Sequence, residues 1–433
     1  MEYEKLLEYI YQRYSGNVKL GLERIFQLME MMDFPNRKLE GYHVGGTNGK
    51  GSTCATLEAL SLAHGFTTGF NSSPHLVEYM ERFRVNGNNL SFDEIYKTYQ
   101  KWEKIYDETE ASFFEITTSM AFDMFAERKV DVAIIEVGLG GRLDATQPFN
   151  TTVSAITSIA FDHLKSLGST IPEIAYEKAG ILKEGVPLVT GDIQESAMEV
   201  ISNRAKLLKV KHYKYNKDYL VTNIHIDENG THFDYELPEY NIKLKDLTIN
   251  LLGRHQAING AVAVTCFFLY MNIKKMKWQE HTLREALCNV NWQGRMQIIN
   301  KKPLVILDGA HNAEGLTYLI SNMKEMFPGK RFKFLTAILR DKPYAFMINS
   351  MAEVAEEFVI SQSHSQRAAQ TEDLEPVVKK TGIPYRIVKE LPEGAKIILE
   401  SCNEDDIVIV CGSLYTVAEI LKVRLSLFGE NTI

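Results

Sequence analysis

The sequence is poor in the features that mark several protein classes. Its five cysteines, Cys54, Cys266, Cys288, Cys402 and Cys411, are scattered through 433 residues. None pairs as CxxC, which argues against a zinc cluster or a disulfide framework and for a reducing cytoplasm. No uncharged apolar run approaches the roughly 20 residues of a membrane span. The first residues, Met1 to Lys5, lack the basic-then-apolar layout of a signal peptide, so none is expected here. There is no basic excess either: the formal charge is −8. That excludes a general nucleic-acid coat, which needs clustered lysine and arginine. It leaves small anionic ligands open, because those are held by local features.

What is present is ample for two domains. Hydrophobic residues make up 45% of the chain, enough for sizeable cores at this length. Residues 1–40 read as helical, with Leu20, Ile25, Leu28 and Met29 at helix spacing. From residue 42 a theme of apolar strand, polar turn and helix recurs. The runs 42–44, 132–137, 152–159 and 186–189 suggest buried parallel strands, with helices at 52–64 and 256–271. Residues 219–226 and 231–235 around Asn229-Gly230 predict a small antiparallel insertion. The runs 304–307, 332–335, 358–360, 385–388 and 407–410 predict a second doubly wound α/β unit. The expected division is 1–294, a polar linker at 295–302, and 303–433.

The segment Gly45-Gly46-Thr47-Asn48-Gly49-Lys50-Gly51-Ser52-Thr53 lies between a strand and a helix. Glycines let the backbone curl so that N–H groups point inward, and a helix N-terminus adds partial positive charge. Lys50 would supply a cation for outer phosphates, and Ser52 or Thr53 a hydroxyl. The match to the GxxxxGK[ST] phosphate loop is imperfect. Val44 takes the first glycine position, and Gly51 separates Lys50 from Ser52.

Here the sequence resembles the folylpolyglutamate synthases and related dihydrofolate synthases, within the Mur ligase superfamily. The resemblance continues through Ser72-Ser-Pro-His-Leu76, Glu81-Arg-Phe-Arg-Val-Asn-Gly87 and Phe114-Glu115. It runs on through Glu136-Val-Gly-Leu-Gly-Gly-Arg-Leu-Asp-Ala-Thr146, Thr157-Ser-Ile-Ala-Phe-Asp-His163 and Glu177-Lys-Ala-Gly-Ile181. It reaches Gly294-Arg295, Asp308-Gly-Ala-His-Asn312 and Cys411-Gly-Ser-Leu-Tyr-Thr-Val417.

The resemblance implies a P-loop-type ATPase domain with a parallel sheet, followed by a smaller Rossmann-like α/β domain. It implies ATP-dependent ligation of L-glutamate to a folate, with dihydropteroate a further candidate substrate, through an acyl phosphate. ATP would contact Thr47, Asn48, Gly49, Lys50, Gly51, Ser52, Asn259, Arg295, Asp308 and His311, between the two domains. Ser73 and Glu136 would hold one Mg²⁺, and His163 with a carbamylated Lys178 a second. The family also leaves room for a monovalent cation. Lys50, Glu136, His163 and Lys178 form the implied catalytic set.

Ser112, Phe113, Phe114, Glu115, Leu143, Asp144 and Ala145 match folate-contacting positions. Phe113 and Phe114 read equally well as core. Arg82 and Arg84 suit either an anionic substrate tail or solvent, and Arg367 either the incoming glutamate or domain closure. A monomer in the cytoplasm, without nucleic-acid or membrane partners, is the expected form. A Mur-type ligase acting on a cell-wall precursor is the enzymatic alternative; a nucleotide switch is the non-enzymatic one.

Overall fold

The computed structural model describes residues 3–13 and 21–429. It divides into two compact units. One holds residues 1–224, 232–249 and 256–290; the other holds 225–231, 250–255 and 291–433.

The first unit is built on an eight-stranded sheet. In spatial order its strands are Asn88–Asn89, Phe83–Val85, Thr68–Asn71, Val132–Glu136, Gly41–Gly45, Thr151–Ile156, Leu188–Thr190 and His212–Lys214. Val132–Glu136 and Thr151–Ile156 run parallel to the central Gly41–Gly45 and flank it. Gly41–Gly45 and Val132–Glu136 are buried along their whole length. This is why the sequence shows continuous apolar runs there rather than alternation. Gly41 admits no side chain: at φ +147° a Cβ would lie 2.0 Å from the Ala133 carbonyl oxygen. The sheet therefore brings the ends of three buried strands side by side, where an α/β fold presents its ligand site.

Local signals set the flanking helices. Lys50–Ala63 begins directly after Gly49, two residues earlier than expected. Phe92–Glu108 and Phe113–Glu127 each start at a serine–glutamate capping box. Ile25, Leu28 and Met29 are buried on the helix Glu23–Met31; Leu20 lies outside the described residues. The expected hairpin segments belong to a three-stranded sheet of Leu220–Asp227, Gly230–Leu237 and Ile242–Ile249, with Gly230–Leu237 in the middle. The helix Arg254–Ile273 is long and apolar enough to cross a membrane, contrary to the sequence reading. However, 83% of its apolar window is buried inside the protein, as befits a core helix.

The second unit carries a six-stranded sheet. Its order is Gln297–Lys301, Leu304–Leu307, Ile407–Cys411, Phe332–Thr336, Ala355–Gln362 and Tyr385–Glu390. All neighbours are parallel except the first pair. That pair corrects the expected linker. Residues 297–301 form an edge strand antiparallel to 304–307, with Ile299 fully buried. The polar Asn300-Lys301-Lys302-Pro303 stretch suggested a linker. Asn300 and Lys301 instead end the edge strand and Lys302-Pro303 make the turn of the hairpin, with Asn300 Nδ2 donating to the Pro303 carbonyl at 2.7 Å.

Candidate active site

The glycine loop leaves the strand Gly41–Gly45 and enters the helix Lys50–Ala63. Two residues at the end of the neighbouring strand grip it. Thr47 N–H donates to the Ser158 carbonyl at 2.8 Å, and Asn48 N–H to Ser158 Oγ at 3.0 Å. Thr157 Oγ1 donates to the Asn48 carbonyl at 2.6 Å. Thr157 and Ser158 stood inside a quoted motif, but sequence alone assigned them no part. The glycines are required by contact as well as by conformation. At Gly46 (φ +143°) a Cβ would meet Thr157 Oγ1 at 2.0 Å, and at Gly49 (φ +88°) it would meet Asn259 Oδ1 at 2.3 Å. Asn259, 8% exposed, is thereby placed beside the loop. Gly51 and Ser52 are buried in the first helical turn.

Two lysines converge under this loop. Lys50 Nζ donates to the Gly46 carbonyl at 3.2 Å and to the Thr47 carbonyl at 3.1 Å. Lys178 Nζ donates to the same Gly46 oxygen at 2.8 Å. Lys178 lies in the last turn of the helix Ile171–Ala179 and is only 5% exposed, so it is no surface lysine. Burial, and then the Lys50 ammonium, lower its pKa to about 7. Asp162 and Asp144 oppose that shift.

Glu136 ends its strand 3% exposed, and Oε2 accepts from Ser73 N–H at 2.9 Å. Ser73 Oγ is buried and has no hydrogen-bond partner. A buried hydroxyl oxygen left open beside a carboxylate suits a hard cation, which takes oxygen ligands. His163 is placed differently: its side chain is 44% exposed, at φ +50°, with Nε2 4.0 Å from Asp162 Oδ1. Among the described residues no group of three or more His, Cys, Asp or Glu side chains is assembled for a metal. Mg²⁺ does not require one, since it keeps waters and takes phosphate oxygens.

The residues matched to folate serve local structure first. Ser112 and Glu115 form the capping box of Phe113–Glu127, and Glu115 Oε2 also accepts from Arg24 Nε at 3.0 Å. Phe113 is 5% exposed in the core, with the Arg82 guanidinium 5.1 Å from its ring centroid. Phe114 is half-buried and lies over Gly138, whose Cβ would meet the ring at 2.4 Å. Asp144 is buried, and its carboxylate organises the loop before it. Oδ2 accepts from Leu139 N–H at 2.8 Å, and Oδ1 from Thr146 N–H at 3.0 Å. Burial raises its pKa in spite of these bonds. Ala145 is buried, and Leu143 half-buried. Gln147 donates to the carbonyls of Gly141 and Gly180, each at 2.7 Å.

Arg84 is not a solvated charge. Its Nη2 lies 2.7 Å from Oε2 of Glu58, whose side chain is 3% exposed. Arg84→Met should strand that carboxylate and cost about 3 kcal/mol of stability. Urea denaturation checks this; an unchanged midpoint would mean the pair contributes nothing.

In the second unit, Asp308 is buried between the N–H groups of Met296 (2.9 Å) and Ala310 (2.7 Å). Its pKa is raised by burial, which outweighs Arg295 and His311. A Cβ on Gly309 would meet Arg295 Nη1 at 2.4 Å, so the guanidinium lies across that glycine. His311 Nδ1 is 2.8 Å from the Gly309 carbonyl oxygen. The structure thus brings Arg295, Asp308 and His311 together. Arg367 pairs with Asp341 at 2.7 Å.

A strand–glycine loop–helix with a lysine, beside a strand-end carboxylate and a second buried lysine, defines a phosphate-handling α/β enzyme with an appended α/β unit. The Mur ligase middle domain matches residues 44–267, and the Mur ligase glutamate ligase domain matches 294–414. The dihydrofolate synthase/folylpolyglutamate synthase of Bacillus subtilis is 34% identical over 428 residues, covering 97% of this chain and 98% of its own. The structure of Mycobacterium tuberculosis folylpolyglutamate synthase complexed with ADP superposes at TM-score 0.91, with 27% identity over 97% of this chain and 98% of that one. The Yersinia pestis bifunctional enzyme, complexed with AMPPNP and a Mn ion, gives TM-score 0.85 at 31% identity over 97% of each chain. The chain belongs to the folylpolyglutamate synthase/dihydrofolate synthase family of the Mur ligase superfamily, a family of ATP-dependent acid–amino acid ligases.

Proposed function

We propose that this enzyme joins L-glutamate to tetrahydrofolate and to dihydropteroate, using ATP and acting as a cytoplasmic monomer. The observation that carries the reading is the convergence of Lys50 and Lys178 on one loop carbonyl, with Lys178 buried and its pKa lowered to about 7 by burial and the Lys50 ammonium.

A carboxylate does not condense with an amine at neutral pH, so it must be activated. The substrate carboxylate attacks the γ-phosphorus of ATP, ADP leaves, and an acyl phosphate forms. The amine of glutamate then attacks the acyl carbon, inorganic phosphate leaves, and an amide remains. Lys50 sits in the loop that would cradle the phosphates; its ammonium stabilises charge on the transferring group. Thr47, Asn48, Gly49, Gly51 and Ser52 present the loop's donors. Asn259, beside Gly49, would contact the adenine side. Arg295, Asp308 and His311 of the second unit are assigned to the nucleotide's phosphates and ribose.

Ser73 and Glu136 would hold one divalent cation, and His163 with Lys178 a second; bound there, such ions neutralise phosphate charge and align the reacting oxygens. A monovalent cation is included only on family resemblance. Lys178 serves as a ligand only after its neutral amine adds CO₂, forming an N–C bond and releasing a proton. The carbamate then offers anionic oxygen where the free amine cannot. Phe114, Leu143, Asp144 and Ala145 form the folate side.

The test is phosphate release with ATP and glutamate plus tetrahydrofolate, dihydropteroate or a cell-wall precursor. Turnover with both pterins is expected. Turnover with the cell-wall precursor alone would overturn the assignment, and activity with only one pterin would remove the other from it.

A further inference from the structure

His43 lies in the strand Gly41–Gly45, just before the phosphate loop. Its side chain is fully buried. A buried imidazole must account for both ring nitrogens. Nε2 lies 2.8 Å from Thr146 Oγ1, which in turn lies 2.5 Å from Asp144 Oδ1. Both Asp144 oxygens already accept from backbone N–H groups, Oδ2 from Leu139 and Oδ1 from Thr146, so Oδ1 accepts from the hydroxyl too, and a threonine hydroxyl has one proton. That proton goes to Asp144, so His43 carries its own proton on Nε2 and donates it to Thr146. Nδ1 is then the unprotonated nitrogen, and it has no hydrogen-bond partner. Burial, and then the Lys183 ammonium, keep this imidazole well below its ordinary pKa. Protonation would bury an unpaired N–H near a cation.

The chain of bonds ends where the loop is shaped. With Oδ1 held by Thr146, Oδ2 is left to anchor Leu139 N–H. Leu139 follows Gly138, the residue packed against Phe114. The far end of the turn is fastened separately. Lys183 Nζ donates to the carbonyls of Gln147 (3.0 Å) and Phe149, and the Phe149 ring meets His43 edge-on at 6.0 Å.

We propose that His43 is a positioning residue for the substrate loop: through Thr146 it orients the Asp144 carboxylate and so sets residues 138–146 against Phe114. This rests on the reading that Phe114 and residues 143–145 contact folate. His43 touches no substrate; it acts through Thr146.

Steady-state kinetics on His43→Leu and His43→Gln test it. The glutamine amide reaches about as far as Nε2 and keeps the donor, whereas leucine fills the space without one. His43→Leu should raise KM for the pterin substrate roughly tenfold, the size of one buried hydrogen bond left unmade, with KM for ATP unchanged. His43→Gln should restore it. Equal impairment of both variants, or a parallel rise in KM for ATP, would overturn the proposal. Long-range ¹H–¹⁵N correlation on the unmodified protein gives a readout independent of variant folding. It should show Nε2 protonated and Nδ1 bare down to pH 6, and the opposite tautomer or a charged ring would overturn it. Phe114→Ala separates the two layers. If it leaves the pterin KM unchanged, the folate reading falls; if it raises KM while His43→Leu does not, only the role of His43 falls.

Discussion

Replacing Lys178 with alanine should stop ligation, lowering turnover by about a thousandfold or more, the scale of losing a group that stabilises transition-state charge. The side chain is 5% exposed, its pKa is about 7, and its amine touches the phosphate-loop carbonyl of Gly46. Nothing in such a place is needed for solubility, and a buried amine costs desolvation. Carbamylation gives that cost a purpose. Only the neutral amine adds CO₂, and its share grows as pH rises through about 7. CO₂-depleted enzyme should therefore regain activity with added CO₂ more fully at pH 8 than at pH 6. Lys178→Arg should be as inactive as the alanine variant, because a guanidinium stays charged. Phosphate release at saturating substrate measures the loss, and ¹³C NMR with labelled CO₂ looks for the carbamate. Near-normal turnover of the alanine variant would sink the carbamate assignment.

Lys50→Gln should be the second large effect. Two of the three ammonium donors already bind the loop carbonyls of Gly46 and Thr47, so the head group is held at the place where phosphates would lie. Glutamine can donate a hydrogen bond there but carries no charge. We expect kcat/KM for ATP to fall by about 10²–10³, as when one charge-stabilising donor is removed from a reacting centre. Pterin binding, measured by fluorescence titration, should be unchanged. A matching loss of pterin affinity would mean that Lys50 supports the whole loop region rather than the transferring phosphoryl group.

The difference between these two lysines shows how far the sequence could be read. Lys50 was legible because glycines on either side, a strand before and a helix after constrain what a lysine can do there. Lys178 carried no such local signal. On a helix at Glu177-Lys178-Ala179 a lysine ordinarily points to solvent, and only family resemblance singled it out. Its contact with Gly46 spans 132 residues of chain, a relation that no local pattern encodes. His43 and Thr157 were hidden for the same reason. Each lies in or beside a strand, and each became informative once parallel pairing set Val44 opposite both Glu136 and Ala155.

The fold follows a similar rule. Strands buried on both faces were visible as unbroken apolar runs. The strand Gln297–Lys301 was not, because it lies at a sheet edge with mixed polarity, and its hairpin turn read as a linker. Composition and hydrophobic patterning thus determined the α/β class, the two-part organisation and the phosphate loop, since these depend on neighbours along the chain. The tertiary structure alone decided that Lys178 is buried beside Lys50, that Arg84 neutralises Glu58, and that His43 reaches Asp144 through Thr146. Those facts depend on desolvation and on distances between remote segments. Both quantities exist only after the sheet has brought the strand ends together.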